Sequence, residues 1–165
     1  MINLRKKLLR GCLMLAVAGI AVSSYAATES KDESHLPKNP DALVSTIRQA
    51  IEESDYDKLK ELVFWKDAGK IKKRVVRFQL NRSLGRPLKS VTFEDFPENG
   101  LAAAEATGKL EVNMPVTNRV RVIFDEEPIN DAGKLPTAVF VVGKKRGSYR
   151  IALVVRKGFI DDDGD

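Results

Sequence analysis

The spacing of apolar residues divides the chain into three parts. From Cys12 to Val22 runs an apolar block of about 11 residues. Between Asn39 and Leu84 apolar side chains return every three or four positions, and from Val91 to Val155 they alternate with polar ones. A helix brings a residue back to the same face about every 3.6 positions and a strand about every two, so the pattern predicts helices followed by strands.

In the helical part, Asn39 is placed to cap a helix and Pro40 to open it, because the first helical position has no use for the N–H that proline lacks. Leu43, Val44, Ile47, Ala50 and Ile51 give that helix one apolar stripe. Ser54 with Asp57 three residues on reads as a capping box for a short second helix, which carries Leu59, Leu62 and Val63 and is closed by Phe64 and Trp65. A third helix is predicted over Lys70 to Leu84, stopped by Gly85 and Pro87. Projected at about 100° per residue, Ile71, Val75 and Phe78 form one stripe and Val76, Leu80 and Leu84 another nearly opposite. That arrangement predicts a helix buried on two sides.

From Val91 onward the period is two. Ala102, Ala104, Ala106, Leu110, Val112 and Met114 alternate with Glu105, Lys109, Glu111 and Asn113, which predicts a half-buried strand with an irregularity at Gly108. Val120, Val122 and Phe124 alternate with Arg119 and Arg121 in the next strand. Pro136 to Val142 is apolar on both faces, and Lys144 to Gly147 turns the chain into Tyr149, Ile151, Leu153 and Val155. Short connections make these strands antiparallel neighbours. The expected class is α+β, with N-terminal helices packed on a curved antiparallel sheet. Its core should set Leu43, Ile47 and Ile51 against a sheet face that includes Leu110, Val112 and Val122.

The opening Leu43-Val44-x-x-Ile47-x-x-Ala50-Ile51 helix, the short Asp55 to Val63 helix, the third helix and the closing strands together resemble the nuclear-transport-factor-like cone superfamily, which includes ketosteroid isomerase, scytalone dehydratase and polyketide cyclases. The resemblance spans about Pro40 to Lys157 and lies in element order and pattern, without a specific motif. It implies a cone-like, cystatin-like roll, whose interior holds small apolar ligands in many members. Family enzymes that move a proton point a carboxylate, tyrosine or histidine into the cone. Tyr149 alternates with the core positions Ile151, Leu153 and Val155 and is the candidate pocket residue; its bland reading is a buried tyrosine with a satisfied hydroxyl. Glu105 and Glu111 alternate away from the apolar face, so the isomerase chemistry transfers to no residue here.

Ahead of the apolar block stand Arg5, Lys6, Lys7 and Arg10 with no acid, and behind it the small-residue stretch Ser23-Ser24-Tyr25-Ala26. That order is the signature of a secretory signal cleaved before Ala27. The block is well short of the ~20 residues a permanent membrane span needs. The expected organisation is a signal over 1–26, a flexible polar leader over 27–39, one α+β domain over 40–158 and a disordered acidic tail over 159–165. The product is expected in the periplasm or outside the cell, without a transmembrane anchor after cleavage. Cys12 has Arg10 where a lipoprotein signal needs a small residue, and it departs with the signal. A mature chain without cysteine has no disulfide, thiolate nucleophile or cysteine metal site.

Four of the 28 basic residues but none of the 23 acids lie in the signal, so the formal +5 falls to +1 in the mature chain. A uniformly basic surface is thereby excluded, and the distribution of charge carries what signal there is. Between Asp67 and Glu94 stand Lys70, Lys72, Lys73, Arg74, Arg77, Arg82, Arg86 and Lys89 with no acid, +8 against −7 for the rest of the mature chain. Lys70, Lys73, Arg74 and Arg77 fall at i, i+3, i+4 and i+7, a basic stripe between the two apolar ones. One reading is a solvated face neutralised by Glu52, Glu53, Asp55 and Asp57 or by the tail. The other is a surface for an anionic envelope component, such as a lipid head group or an envelope polymer, or for an acidic protein. Nucleic acid is not expected, because an exported protein meets little of it.

Candidate chemistry is sparse. The only histidine, His35, sits in the polar leader, which leaves a serine nucleophile without a base. Zinc would lack histidine and cysteine ligands. Glu94, Asp95 and Glu98, close to Pro97 and Gly100, read as a solvated strand end and turn rather than a catalytic carboxylate pair. Asp161, Asp163 and Asp165 stop before a calcium loop could be completed. The expected function is a non-enzymatic binding or interaction module of the cell envelope, with no catalytic residue, metal or cofactor assigned and homodimer formation open. The alternative is a cone-fold small-ligand carrier or an isomerase- or cyclase-like enzyme.

Overall fold

In the computed structural model, which describes residues 33–102, 106 and 108–157, the first helix starts where its capping residues predict. The Asn39 side chain accepts a hydrogen bond from the Ala42 N–H at 2.8 Å, and Pro40 opens α1, Pro40–Glu52. Leu43, Ile47, Ala50 and Ile51 on its apolar stripe are buried. The expected export signal with Cys12, the first part of the expected leader, Glu105 and the expected acidic tail lie outside the described residues.

The second helix, α2, Tyr56–Glu61, is capped by Asp55 and not by Ser54: the Asp55 carboxylate accepts from the Lys58 N–H at 2.9 Å. Ser54 instead takes a left-handed backbone conformation, φ 58°, in the turn between the helices. A third helix, α3, Lys70–Asn81, follows Gly69, which offers no side-chain cap. It is shorter than the Lys70 to Leu84 span predicted, because the chain continues past Asn81 as turns.

The strands form two sheets. Strands β1 (Leu88–Asp95), β3 (Asn118–Phe124), β4 (Thr137–Lys145) and β5 (Ser148–Ile151) make a four-stranded antiparallel sheet in the order β1-β3-β4-β5. Strands β2 (Leu110–Val112) and β6 (Val154–Arg156) pair with each other. Between β4 and β5 the turn has positive φ at both Arg146 and Gly147, the two-residue connection whose twist suits a hairpin. At Gly143 a side chain would overlap the Pro115 carbonyl, so the residue lets the segment after β2 cross close over β4.

Two strand expectations need correction. Ala102 is helical and its carbonyl accepts from the Ala106 N–H at 2.8 Å, so the strand predicted from Ala102 shrinks to Leu110–Val112. Alanine packs no cross-strand surface and favours helix, which outweighs the alternation. The run from Tyr149 to Val155 is likewise two strands, broken at Ala152–Leu153 where the chain leaves the large sheet to pair with β2.

Leu43, Ile47 and Ile51 share one core with Val91, Val120, Val122, Phe124, Val142, Ile151 and Val155. Val122 is where the pattern placed it. Leu110 and Val112 are only half-buried, because β2 lies outside the four-stranded sheet. The described end of the leader is tied down: Leu36 is buried, the Pro37 carbonyl accepts from the Tyr149 N–H at 2.7 Å, and Glu33 meets Arg150 at 3.2 Å. A flexible leader reaching Asn39 does not describe these residues. Apolar burial of Leu36 and pairing of the half-buried Arg150 offset the entropy of ordering them.

Candidate functional site

The site is built on α3. Its inner side is set by Val76 and Leu80, both buried, with Leu84 half-buried just beyond the helix. The opposite stripe is not covered: Ile71 is 77% exposed, Phe78 61% and Val75 45%. The expectation of a helix buried on two sides is therefore corrected. One side meets the core and the other meets solvent.

Beside the open stripe lie the cations. Lys70, Arg74 and Arg77 are exposed and Lys73 is half-exposed. Among the described residues, no carboxylate forms an ion pair with Lys72, Lys73, Arg74 or Arg77. The acids that could have neutralised them have partners nearer in the chain. Glu52 pairs with Arg48, Glu53 and Asp55 with Lys58, and Asp57 with Lys60. Asp161 to Asp165, the remaining candidate, lies outside the described residues.

The placement is electrostatically adverse. The first turn of α3 contains no acid and carries Lys70, Lys72 and Lys73, where the partial positive charge of the helix start disfavours cations. Such misplacement costs several tenths of a kcal/mol per charge in exposed helices. For Lys72 and Lys73 no carboxylate among the described residues offsets that cost, which marks a surface shaped by something other than stability.

Not all of the basic cluster is available. Arg86 forms a two-pronged pair with Glu126, Nε to Oε1 at 2.7 Å, and stacks 3.6 Å above the Phe124 ring. The carboxylate raises the Arg86 pKa above the ordinary guanidinium value. This arginine holds β3 to the segment before β1. Arg82 lies over the Phe78 ring at 5.8 Å, near the open stripe.

Between α3 and β4 is an open hollow of about 420 Å³. Val76, Leu80, Phe140 and Leu153 supply apolar wall, and Lys72 and Arg82 supply charge. Partial burial there holds the Lys72 pKa below the ordinary lysine value. Tyr149, the pocket candidate, does not line this hollow. It is buried against Phe93 in an edge-to-face contact at 5.5 Å, with the Lys144 ammonium 4.9 Å from its ring centre.

Glu94 is also placed differently from its expectation as a loop carboxylate. It sits within β1, opposite Arg119 and diagonal to Arg121, and accepts from their Nε groups at 2.7 and 2.8 Å. The Arg121 hydrogen bond is the largest of the causes that lower its pKa to about 2. A carboxylate so engaged is a cross-strand clamp, not a general acid. His35 lies 3.4 Å from the Glu61 carboxylate on the surface. Among the described residues, no group of three or more histidine, cysteine, aspartate or glutamate side chains is arranged to hold a metal ion, and no helix is long and apolar enough to cross a membrane.

Comparison of the chain with protein-family models, with curated proteins and with solved structures gives no match. The site is therefore read from its own residues. The basic stripe was legible from spacing. The open apolar stripe beside it was legible as a stripe but not as exposed, and the hollow brings together residues from Lys72 to Val154 that no local pattern links.

Proposed function

We propose that this chain is an exported, non-enzymatic binding module of the cell envelope whose α3 face engages an anionic partner. The observation that carries the reading is that Lys72, Lys73, Arg74 and Arg77 on α3 have no carboxylate partner among the described residues, although acids from α1 and α2 are close in sequence. The sequence at Met1 to Ala26 supports export, and cleavage before Ala27 would appear directly in the intact mass of the released protein. The order of three helices followed by an antiparallel sheet, with α1 packed on β1, supports the likeness to the cone superfamily.

Retention on an immobilised polyanion such as dextran sulfate tests the reading. The protein is expected to bind at low salt and to be released as ionic strength rises, because exposed charges are screened over about 8 Å at physiological salt. Replacing Lys73, Arg74 and Arg77 together by Gln is expected to abolish retention and leave the melting temperature nearly unchanged. Full retention by the triple variant, or a large loss of stability without loss of binding, contradicts the proposal. Deleting Asp161 to Asp165 asks whether the tail competes: stronger retention after deletion identifies it as an internal rival for the stripe.

A second reading, a small-ligand carrier, is favoured by the hollow of about 420 Å³, within the usual size range of ligand sites. It predicts a small apolar molecule that copurifies with the protein and survives the triple Gln substitution.

A further inference from the structure

Every large apolar side chain exposed among the described residues lies on α3 or beside it. Ile71, Val75 and Phe78 are on the helix; Val139 lines the hollow shared with Lys72, Val76 and Gln79; Ile129 lines a depression shared with Arg82 and Ser83. At about 100° per residue, Phe78 and Ile71 project almost opposite the buried Val76 and Leu80, so they form the outermost ridge of the helix. Arg74 and Arg77 follow on one flank of that ridge, and Lys72 lies on the other.

We infer that the anionic partner of α3 is a phospholipid bilayer surface, with Phe78, Ile71 and Val75 seated at the boundary of head groups and acyl chains and Arg74 and Arg77 on one flank and Lys72 on the other among the phosphates. This rests on the reading of α3 as an anion-binding face and names its partner. Three physical points favour lipid over the other occupants. An apolar ridge flanked by cations is the arrangement of a helix lying in a membrane interface, where long basic side chains extend sideways and upward to reach the phosphates. A bilayer offers negative charge on both flanks with hydrocarbon beneath the middle, so one flat partner satisfies ridge and flanks together. A second copy of the chain would oppose two faces of like charge, which disfavours self-association there. The Ile129 end carries the exposed Glu127 and is the side expected to stand clear of the head groups.

Vesicle flotation separates this inference from the one beneath it. The exported protein is expected to float with vesicles of equal parts phosphatidylglycerol and phosphatidylcholine at low salt, and to stay behind with phosphatidylcholine alone. Ile71→Ser with Phe78→Ser is expected to weaken vesicle binding roughly tenfold or more, while retention on dextran sulfate and the melting temperature stay as in the parent. A Phe78→Trp variant gives a second measure: its emission should shift to the blue and be quenched by brominated acyl chains. Retention on dextran sulfate without vesicle binding, or vesicle binding unaffected by the double Ser substitution, overturns the lipid assignment and leaves the anionic face standing, with an acidic protein as its partner. Loss of both kinds of binding removes the face itself.

Discussion

Asn113 joins three parts of the molecule, and its replacement by Ala gives a stability change that can be worked out bond by bond. Its side-chain amide donates to the Phe64 carbonyl at 2.5 Å and to the Lys66 carbonyl at 2.9 Å, and its side-chain carbonyl accepts from the Leu153 N–H at 2.9 Å. Its own N–H donates to the Leu153 carbonyl at 3.0 Å. The side chain thus extends the β2–β6 pairing by one rung and fastens it to the segment after α2. The bonds to Phe64 and Leu153 are partly buried, whereas the Lys66 carbonyl is exposed and regains water when the amide is removed. Two partly buried bonds at about 1 kcal/mol each give an expected loss of about 2 kcal/mol. At roughly 4 °C per kcal/mol for a domain of this size, the melting temperature should fall by about 8 °C. Asn113→Asp keeps the acceptor for Leu153 but turns an oxygen toward two carbonyls, so it should cost more than Ala at neutral pH. Protonation of the introduced carboxyl supplies a donor again. Its folded-state pKa should therefore rise above the unfolded value, and the deficit should shrink as the pH falls through that raised pKa. Trp65, the only tryptophan, lies between the two clamped carbonyls and donates to the Lys60 carbonyl at 3.1 Å, so its fluorescence during urea unfolding reports on the junction. If both variants unfold within about 0.5 kcal/mol of the parent, or if the Asp variant shows no added pH dependence, the clamp contributes no more than a surface contact.

Ile47→Ala, at a fully buried position of α1, should destabilise by roughly 2–5 kcal/mol through lost burial and the cavity left behind; an unchanged urea midpoint would place α1 outside the cooperative core. Glu94→Gln should lower the melting temperature at neutral pH by releasing Arg119 and Arg121. Because the folded pKa of Glu94, about 2, lies below the unfolded value, this contribution is full above about pH 5 and disappears as the pH falls toward 2. Melting curves of parent and variant should thus converge in acid, and a difference that persists at pH 2 would assign the effect to packing instead of charge.

Local pattern was sufficient where an element's identity depends on its own neighbours. The Asn39-Pro40 start, the α1 stripe and the burial of alternate residues in β3 follow from hydrogen bonds and side-chain periods that repeat within a few residues. The basic stripe of α3 was legible for the same reason. What no local pattern contained was the choice of partner. Both apolar stripes of α3 were visible, yet only the packed fold selects Val76 and Leu80 for the core and leaves Ile71, Val75 and Phe78 in solvent. Alternation marked Asn113 as a polar residue on an open face, whereas its bonds reach Phe64, Lys66 and Leu153, roughly forty or more residues away in either direction. Glu94 likewise read as a loop carboxylate until β3 brought two arginines beside it. Period and capping are set by short-range geometry, so the residues themselves encode them. Burial, pairing and exposure depend on which distant surface arrives, and that is decided when the whole chain packs.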